Sequence, residues 1–502
     1  MHMTTIKISI AIYFLAIAIT SHAQNNETFE QYRDRMQNEF QSFRNAKTKE
    51  FEDFRNKVNA EFAQFRETLW REMKGLDPIP QPHEEPPTPP ITLPDNEIDI
   101  PIESNPIAIE EVIAPPAPEP QPAPIVPIEA VPQQTANYVT FVYCGTTCKV
   151  RYPKDTNWTL RNLENDEYTK AWTELSSEKY NNTILDCLQL RTDLQLSDWA
   201  YLNMLDKLSE TCCRTQNDRT FIMTYLLSQS GYKVRLALVD NSNLVYLVSS
   251  KHLIYNIPYI EDSNSSLKYY CFKGAGDRYY VYDFELPGEK QLSLYITNDQ
   301  LFAYDQSSRR TLTSKRYPDV NVSVTVNKNL VEFYDTYPVS QVNNNIMTRW
   351  AMYAEAPFEQ KIKDQIYPTM KSKIAGKSEL ESVEILLNWV QTAFVYEYDD
   401  VVWQRDRIFF AEESLYYPYC DCEDRSILFS RLVRDLVGLN VILVYYPGHL
   451  ATAVCFNELV NGDYIKLNNK RYTIADPTFI NACVGRTMPN HDNSTAKVIL
   501  LE

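Results

Sequence analysis

A proline-rich, acidic interval divides the chain and limits what can fold on either side of it. Eighteen of the 29 prolines lie between Pro78 and Pro132, and the interval from Gly75 to Cys148 carries eleven acidic residues with no Lys or Arg. Proline removes amide donors and fixes φ, and the acids repel one another, so residues 76–135 cannot build a packed core. We therefore expect an extended, partly polyproline linker of about 150–180 Å, at ~3.1 Å per residue.

The composition excludes several classes of function. The net charge is −17, largely from the linker, and an acidic chain has no general attraction for nucleic acid or anionic lipid, so we expect no nucleic-acid partner. Glycine supplies only 11 of the 502 residues, against a usual ~7%, which argues against a glycine-rich phosphate loop. We expect neither a cofactor nor a metal.

Residues 1–23 have the features of a secretory signal peptide. Lys7 precedes an apolar run over residues 8–19, and residues 21–23 form a small-x-small cleavage site. The apolar run is shorter than a membrane helix requires, although an N-terminal anchor is the alternative reading. We expect an exported protein, periplasmic or extracellular, without a transmembrane segment.

Residues 24–75 contain four tandem repeats of eleven residues. The repeats begin at Phe29, Phe40, Phe51 and Phe62. Repeat positions 1, 4 and 8 fall within about 60° of one another on a helix and form a narrow, mostly aromatic stripe, and the period predicts a nearly straight or right-handed assembly. Nine basic and nine acidic residues balance in the array, so we expect a homo-oligomeric coiled coil through residues 29–72. A lipid surface or the chain's own domains are the alternative partners.

Two segments of the remaining chain resemble each other. Asp218-Arg219-Thr220 and Asp424-Arg425-Ser426 each open an apolar helical pattern that ends at a glycine and continues into a β-rich run. We expect a duplicated α+β unit with domains at 136–290 and 346–502. Between them, residues 291–345 contain the alternating runs LSLYI, VSVTV and LVEFY, which predict a β-rich connector.

Three residues near the C-terminus could act together. Of six histidines, only His252, His449 and His491 belong to folded sequence. Cys422 is expected at the start of a helix, where amides and the dipole favour the thiolate. His449 begins a strand after a Pro-Gly turn, and Asp476 ends a later strand. If the strands pair antiparallel, Asp476 can bind one ring nitrogen of His449 while the other faces Cys422, an arrangement that activates a nucleophile.

From Glu379 to Thr487 the chain resembles the transglutaminase-like superfamily. The motifs that carry the resemblance are CEDRSILFSRLVRDLVG, GHLATAV and ADPT. It implies a papain-like α+β domain in which Cys422 is the nucleophile, His449 the general base and acid, and Asp476 the residue that orients the histidine. It also implies acyl transfer from an amide through a thioester.

The resemblance limits the reaction more closely than the substrate. Relatives cross-link, deamidate or hydrolyse, and we favour hydrolysis of a peptide, protein or cell-envelope substrate because water is the default acceptor. The amide of Cys422 is the expected oxyanion donor, with Trp403, Gln404 and Tyr419 as possible side-chain partners. The alternative from another class is a catalytically silent binding or scaffold protein of the cell envelope.

The first half lacks the reactive pattern. Gln216 takes the place of the cysteine and Asn243 or Ser242 that of the histidine, although Asp283 remains. His252 lies about nine residues late. We therefore expect residues 136–290 to form a degenerate, non-catalytic transglutaminase-like domain.

The ten cysteines leave further alternatives open. In an oxidising compartment Cys420 could form a disulfide with Cys422 and silence it, and Cys144 could pair with Cys148, or Cys212 with Cys213. Cys420-x-Cys422 could also be half of a zinc site, but no second pair of ligands completes it.

Overall fold

The computed structural model describes residues 35, 42, 46, 49–60, 70–82, 88–98, 100–124, 126–127, 136–154, 158–240, 242–282, 284–286, 288–489 and 491–501. The expected signal peptide, most of the repeat array and Asp283 lie outside these residues. The chain divides into two compact units, Met1–Lys57 and Val58–Glu502.

The described part of the repeat array is helical in the third repeat but not at the end of the fourth. Arg71 and Glu72 lie in a β-strand, Arg71–Lys74, so the helical prediction for residues 24–75 is wrong at that end. Helix α1 covers residues 49–60, within the third repeat and its flanks. Repeat positions 1 and 8, Phe51 and Val58, are buried, and position 4, Phe54, is half-buried. Burial therefore follows the expected stripe over this repeat, and the oligomer through residues 29–72 stays a prediction.

The second unit mixes helices with antiparallel and parallel strands, which confirms the α+β class. Its helices are α2 Asn165–Leu175, α3 Asn181–Asp193, α4 Asp198–Cys212, α5 Gln216–Gln229, α6 Lys328–Asp335, α7 Thr348–Glu355, α8 Gln360–Ile374, α9 Glu379–Ala393, α10 Asp399–Val402, α11 Ala411–Tyr416 and α12 Cys422–Leu436. Its strands are β1 Arg71–Lys74, β2 Pro106–Ile107, β3 Glu111–Ile113, β4 Tyr138–Tyr143, β5 Thr146–Arg151, β6 Val234–Val239, β7 Asn243–Ser249, β8 Leu253–Ile254, β9 Tyr259–Glu261, β10 Lys268–Tyr270, β11 Arg278–Tyr282, β12 Arg310–Thr313, β13 Asn321–Val324, β14 Ser340–Gln341, β15 Val395–Tyr396, β16 Tyr419–Cys420, β17 Asn440–Tyr446, β18 His449–Cys455, β19 Tyr464–Leu467, β20 Lys470–Ala475 and β21 Lys497–Leu500.

Each half is built around one larger sheet. The first half has the strand order β1-β11-β6-β7-β10-β9, and the second has β2-β19-β20-β18-β17-β21-β3. Helix α12 packs on the β17–β18 hairpin and against α9. Its apolar residues, among them Leu428 and Leu432, join the core cluster that also contains Trp389 and Val454. This packing places the start of α12 beside the start of β18.

The two halves share the start of their central helix. Gln216 and Cys422 are the first residues of α5 and α12. Two residues later, Asp218 and Asp424 are fully buried, and each carboxylate accepts a main-chain amide from an upstream segment at 2.8 Å. The shared Asp-Arg dipeptide therefore marks the same buried link between the helix start and an upstream segment in both halves, which supports their relatedness.

The third strand differs between the halves. Strand β20 pairs with β18, the second strand of its hairpin, whereas β11 pairs with β6, the first strand of its hairpin. The expected parallel between the halves therefore extends over the helix and the hairpin but not over the next strand. Sheet order depends on long-range pairing, which similar local patterns do not determine.

The described parts of the proline-rich segment lie on the folded domains instead of reaching away from them. Strand β2 pairs in parallel with β19, and β3 pairs in parallel with β21. Both partners are edge strands, whose free main-chain groups accept such additions. The acids of the segment alternate with isoleucines, of which Ile107 and Ile113 are buried. These isoleucines supply apolar contacts that the high proline content did not predict.

The connector at 291–345 is only partly β-rich. The run VSVTV contributes β13, which pairs with β12, whereas LVEFY lies in helix α6. Asn327 caps this helix by accepting the Asn329 amide, and the buried residues Leu330, Val331, Phe333 and Tyr334 follow helical spacing. The β prediction for this run was therefore wrong.

Replacing Asp218 with Ala is expected to destabilise the first half. The substitution leaves the Leu160 amide and the Thr159 hydroxyl without their buried acceptor, which costs about 1–3 kcal/mol. Urea unfolding measures the loss. Asp319→Ala is the matched control because that side chain is 89% exposed, and equal unfolding midpoints for the two variants would contradict the role of Asp218 as a buried acceptor.

Candidate active site

Three secondary-structure ends bring Cys422, His449 and Asp476 into one region. Cys422 is the first residue of α12, His449 is the first residue of β18, and Asp476 directly follows β20. Strands β18 and β20 pair antiparallel, with Thr452 opposite Ala475, as expected. All three side chains belong to residues that are at least 96% buried.

His449 and Asp476 form a hydrogen-bonded pair. Nε2 of His449 lies 2.8 Å from Oδ2 of Asp476. The other carboxylate oxygen accepts the amides of Thr478 and Phe479 at 2.8 and 3.3 Å. Burial favours the neutral acid, but His449 and these amides hold the pKa of Asp476 below its usual value. An ionised Asp476 therefore orients the imidazole and leaves its Nδ1 for other chemistry.

A glutamine that sequence reasoning missed holds the segment after Asp476. The Nε2 of Gln391, on α9, donates to the carbonyls of Asp476, Phe479 and Ala482 at 2.8–3.0 Å. Gln391 is almost fully buried. Because one amide serves three main-chain carbonyls, it fixes the path of the chain that carries the carboxylate.

The free nitrogen of His449 is buried beside a second histidine. Nδ1 of His449 has no hydrogen-bond partner among the described residues. The ring of His491 stacks on that of His449, with centroids 4.6 Å apart and planes 7° apart, and Tyr446 stacks on His491 in turn. Burial, and then the neighbouring His449, lower the pKa of His491 to about 4. His491 is therefore a neutral packing partner of His449. The sequence indicated only that His491 belongs to the folded part of the chain, and not that it packs on His449.

The Cys422 thiol does not face His449 as expected. It donates to Oε2 of Glu423 at 3.1 Å. Burial, followed by the charges of Glu423 and Asp421, raises the pKa of Cys422 well above its usual value, although the Leu450 amide favours the thiolate. The prediction of a thiol pKa lowered by the helix start is therefore wrong in this arrangement, because burial, and after it the adjacent carboxylates, outweigh the amides.

Acidic residues from two segments meet at Glu423, the residue that accepts the thiol hydrogen bond. Burial and mutual repulsion raise the pKa values of Asp421, Glu423 and Asp424, and that of Asp399 to about 8. Possible ligand atoms lie within 4.8 Å of one another in two sets, Asp421, Cys422 and Glu423, and Asp399, Asp406 and Glu423. Arg349 binds Asp406 at 2.8 Å. The set of Asp399, Asp406 and Glu423 consists of the oxygen ligands that hard cations prefer.

Tyr396 is a second residue that sequence reasoning missed. It lies on β15 opposite Cys420 of β16, and its hydroxyl is buried without a hydrogen-bond partner in the described part of the chain. Burial, and then the proximity of Cys422, raise the pKa of Tyr396. Of the suggested oxyanion residues, Trp403 packs against Phe409 and Tyr417 instead. Tyr396 is therefore a hydroxyl donor close to the thiol.

The first half places different side chains at the matching positions. Gln216 begins α5 and Asn243 begins β7, where the second half has Cys422 and His449. His252 accepts the Leu294 amide at its Nε2, and burial lowers the pKa of His252 to about 3. This histidine is therefore neutral and structural.

The cysteines and the comparisons add three findings. All ten cysteines belong to the described residues, and each is a free thiol. No helix in the described ranges is long and apolar enough to cross a bilayer. Comparison of the chain with protein-family models, curated proteins and solved structures finds no significant match.

The raised pKa of Asp399 predicts a stability that falls with increasing pH. The folded state retains a proton that the unfolded chain releases near pH 4, so this contribution is present below that pH and is lost as pH rises through about 8. Unfolding of Asp399→Asn should depend less on pH between 4 and 8 than unfolding of the wild type. Urea titrations at several pH values test this, with the exposed neighbour variant Asp400→Asn as control, and parallel curves for Asp399→Asn and wild type would refute it.

Proposed function

We propose that the protein is an exported cysteine hydrolase of transglutaminase-like architecture that cleaves amide bonds in peptides or cell-envelope material. The observation that carries the proposal is the 2.8 Å bond between Nε2 of His449 and Asp476. It leaves Nδ1 unused in the region where α12 begins with Cys422. A nucleophile, a base and an orienting carboxylate are the groups that acyl transfer requires.

The reaction proceeds in two halves. The thiol turns from Glu423, gives its proton to Nδ1 of His449, and the sulfur attacks the amide carbonyl carbon. The C–N bond breaks as His449 returns that proton to the leaving amine, and a thioester remains on Cys422. Water then gives a proton to His449 and attacks the thioester, and the C–S bond breaks. The sulfur regains the proton and a carboxylic acid is released.

Buried donors serve the oxyanion. The amide of Cys422 at the start of α12 points toward the N-terminal end of the helix, where negative charge is stabilised. The Tyr396 hydroxyl lies close to the same thiol and lacks another partner among the described residues. We infer that it supplies the second hydrogen bond to the developing oxygen charge.

The alternative is a catalytically silent scaffold protein. The bond from the thiol to Glu423 and the raised pKa of Cys422 favour this reading, since a protonated thiol is a poor nucleophile. The two readings differ in one property, which is whether the reactivity of Cys422 depends on His449.

Alkylation of the native chain tests the proposal. Iodoacetamide is expected to modify Cys422 at least tenfold more slowly in His449→Ala than in the wild type. Peptide mapping by mass spectrometry gives the rate, and the half-buried Cys455 serves as an internal reference.

Incubation with envelope proteins or peptidoglycan should yield hydrolysed product with wild type but not with Cys422→Ala. Equal alkylation rates in wild type and His449→Ala, without product, would establish the scaffold instead.

Tyr396→Phe tests the oxyanion role. Loss of one donor is expected to lower kcat by about 10²-fold while the alkylation rate of Cys422 stays unchanged, because alkylation forms no oxyanion. Tyr398→Phe is the matched control, since that ring packs against Tyr396. An unchanged kcat in Tyr396→Phe would show that the hydroxyl is not an oxyanion donor, and the Cys422 amide would remain as the donor.

A further inference from the structure

An extended segment of the proline-rich region lies on the candidate site. We call residues 88–98 the strap. The Thr88 amide donates to the carbonyl of Gly448, and Leu93 and Ile91 exchange main-chain hydrogen bonds with Ile480, each at 2.8 Å. Its prolines lack an N–H, so the strap pairs through the residues between them.

Apolar anchors hold the strap in place. Leu93 is 5% exposed and forms a buried cluster with Phe479, Ala482 and Met488. Ile91 and Ile98 of the strap pack against this cluster. The partners of Leu93 all belong to the segment that follows Asp476, so the strap is bound specifically to that segment.

The attachment points adjoin the candidate catalytic residues. Gly448 directly precedes His449, and Ile480 lies four residues after Asp476. The side chains of His449 and Asp476 are 0% and 2% exposed. Before the strap, Gln81 donates to Asp406, whose carboxylate lies within 4.8 Å of that of Glu423, the acceptor of the Cys422 thiol. Contacts from the proline-rich region therefore reach both the His449–Asp476 pair and the carboxylates next to Cys422.

We propose that the strap occupies the groove in which a substrate binds, that this groove accepts an extended peptide backbone, and that the strap slows, without abolishing, the reaction of the folded chain. The inference rests on the proposed function. Main-chain pairing to Gly448 and Ile480 is the mode by which extended peptides add to exposed main-chain groups. The pocket for Leu93 would then take an aliphatic side chain of the substrate. The substrate class is a peptide in extended conformation with a leucine-like residue.

Covalent attachment explains why the strap can exclude substrate. A tethered segment competes at an effective concentration that reaches mM for short connections. A free peptide making the same three main-chain hydrogen bonds must therefore compete with the strap, and release of the strap should increase access to Cys422.

The experiment measures iodoacetamide modification of Cys422 in the full chain. Leu93→Asp should raise the rate at least tenfold and Leu93→Ala should give an intermediate rate, while Ile100→Asp, at a residue 50% exposed, should leave it unchanged. A synthetic peptide with the strap sequence TPPITLPDNEI, added to Leu93→Asp, should restore the slow rate, and a scrambled peptide should not.

Two controls keep the outcomes separate. Cys148 and Cys187 are at most 1% exposed, so iodoacetamide modifies them only in a variant that has unfolded. If Leu93→Asp unfolds in this way, the rate measured for Leu93→Ala tests the strap inference in its place. A folded Leu93→Asp or Leu93→Ala chain modified at the wild-type rate overturns the strap inference, even if wild type forms product and depends on His449. Faster modification of Cys422 that the strap peptide reverses supports the strap inference. If the rate of modification does not depend on His449, only the proposed hydrolase function is refuted.

Discussion

The packing of α12 on the β17–β18 hairpin is the constraint on which the site depends. Ser426 of the helix donates to the Leu450 carbonyl of β18 at 2.8 Å, and Asp424 ties the start of the helix to the Phe409 amide. These buried bonds fix where α12 begins relative to β18. Cys422 and His449, the first residues of the two elements, become neighbours as a consequence.

Electrostatics oppose reactivity in the arrangement that the chain adopts. The helix start and the Leu450 amide favour a thiolate, whereas Glu423 and Asp421 favour the thiol, and their effect is larger because they share its dry surroundings. Neutralising or moving these acids therefore matters as much as the imidazole. A closed site with a protonated thiol is consistent with a chain that holds its own segment across the His449 side.

Local signals in the sequence predicted much of the site, and long-range contacts account for the rest. The Pro-Gly turn before His449, the glycine after α12 and the strand end at Asp476 are local, and each element forms where expected. The carboxylates that meet Glu423 were not predictable, because Asp399 and Asp406 come from another segment. The strap and strands β2 and β3 escaped prediction since their composition resembles a free linker. Their partners, the loop after Asp476 and the edges of the sheet, become evident only in the folded chain.

The short connection between β2 and β3 has a consequence for how chains meet. These strands pair with β19 and β21, at opposite edges of the sheet β19-β20-β18-β17-β21, yet only residues 108–110 separate them, a span of at most about 14 Å at ~3.5 Å per residue. The sheet therefore curls until one segment covers both edges. Sheet edges are where separate molecules join and aggregate, so residues 106–113 protect this domain from aggregation. Proteolytic cleavage that released both strands would expose two unpaired sheet edges at once.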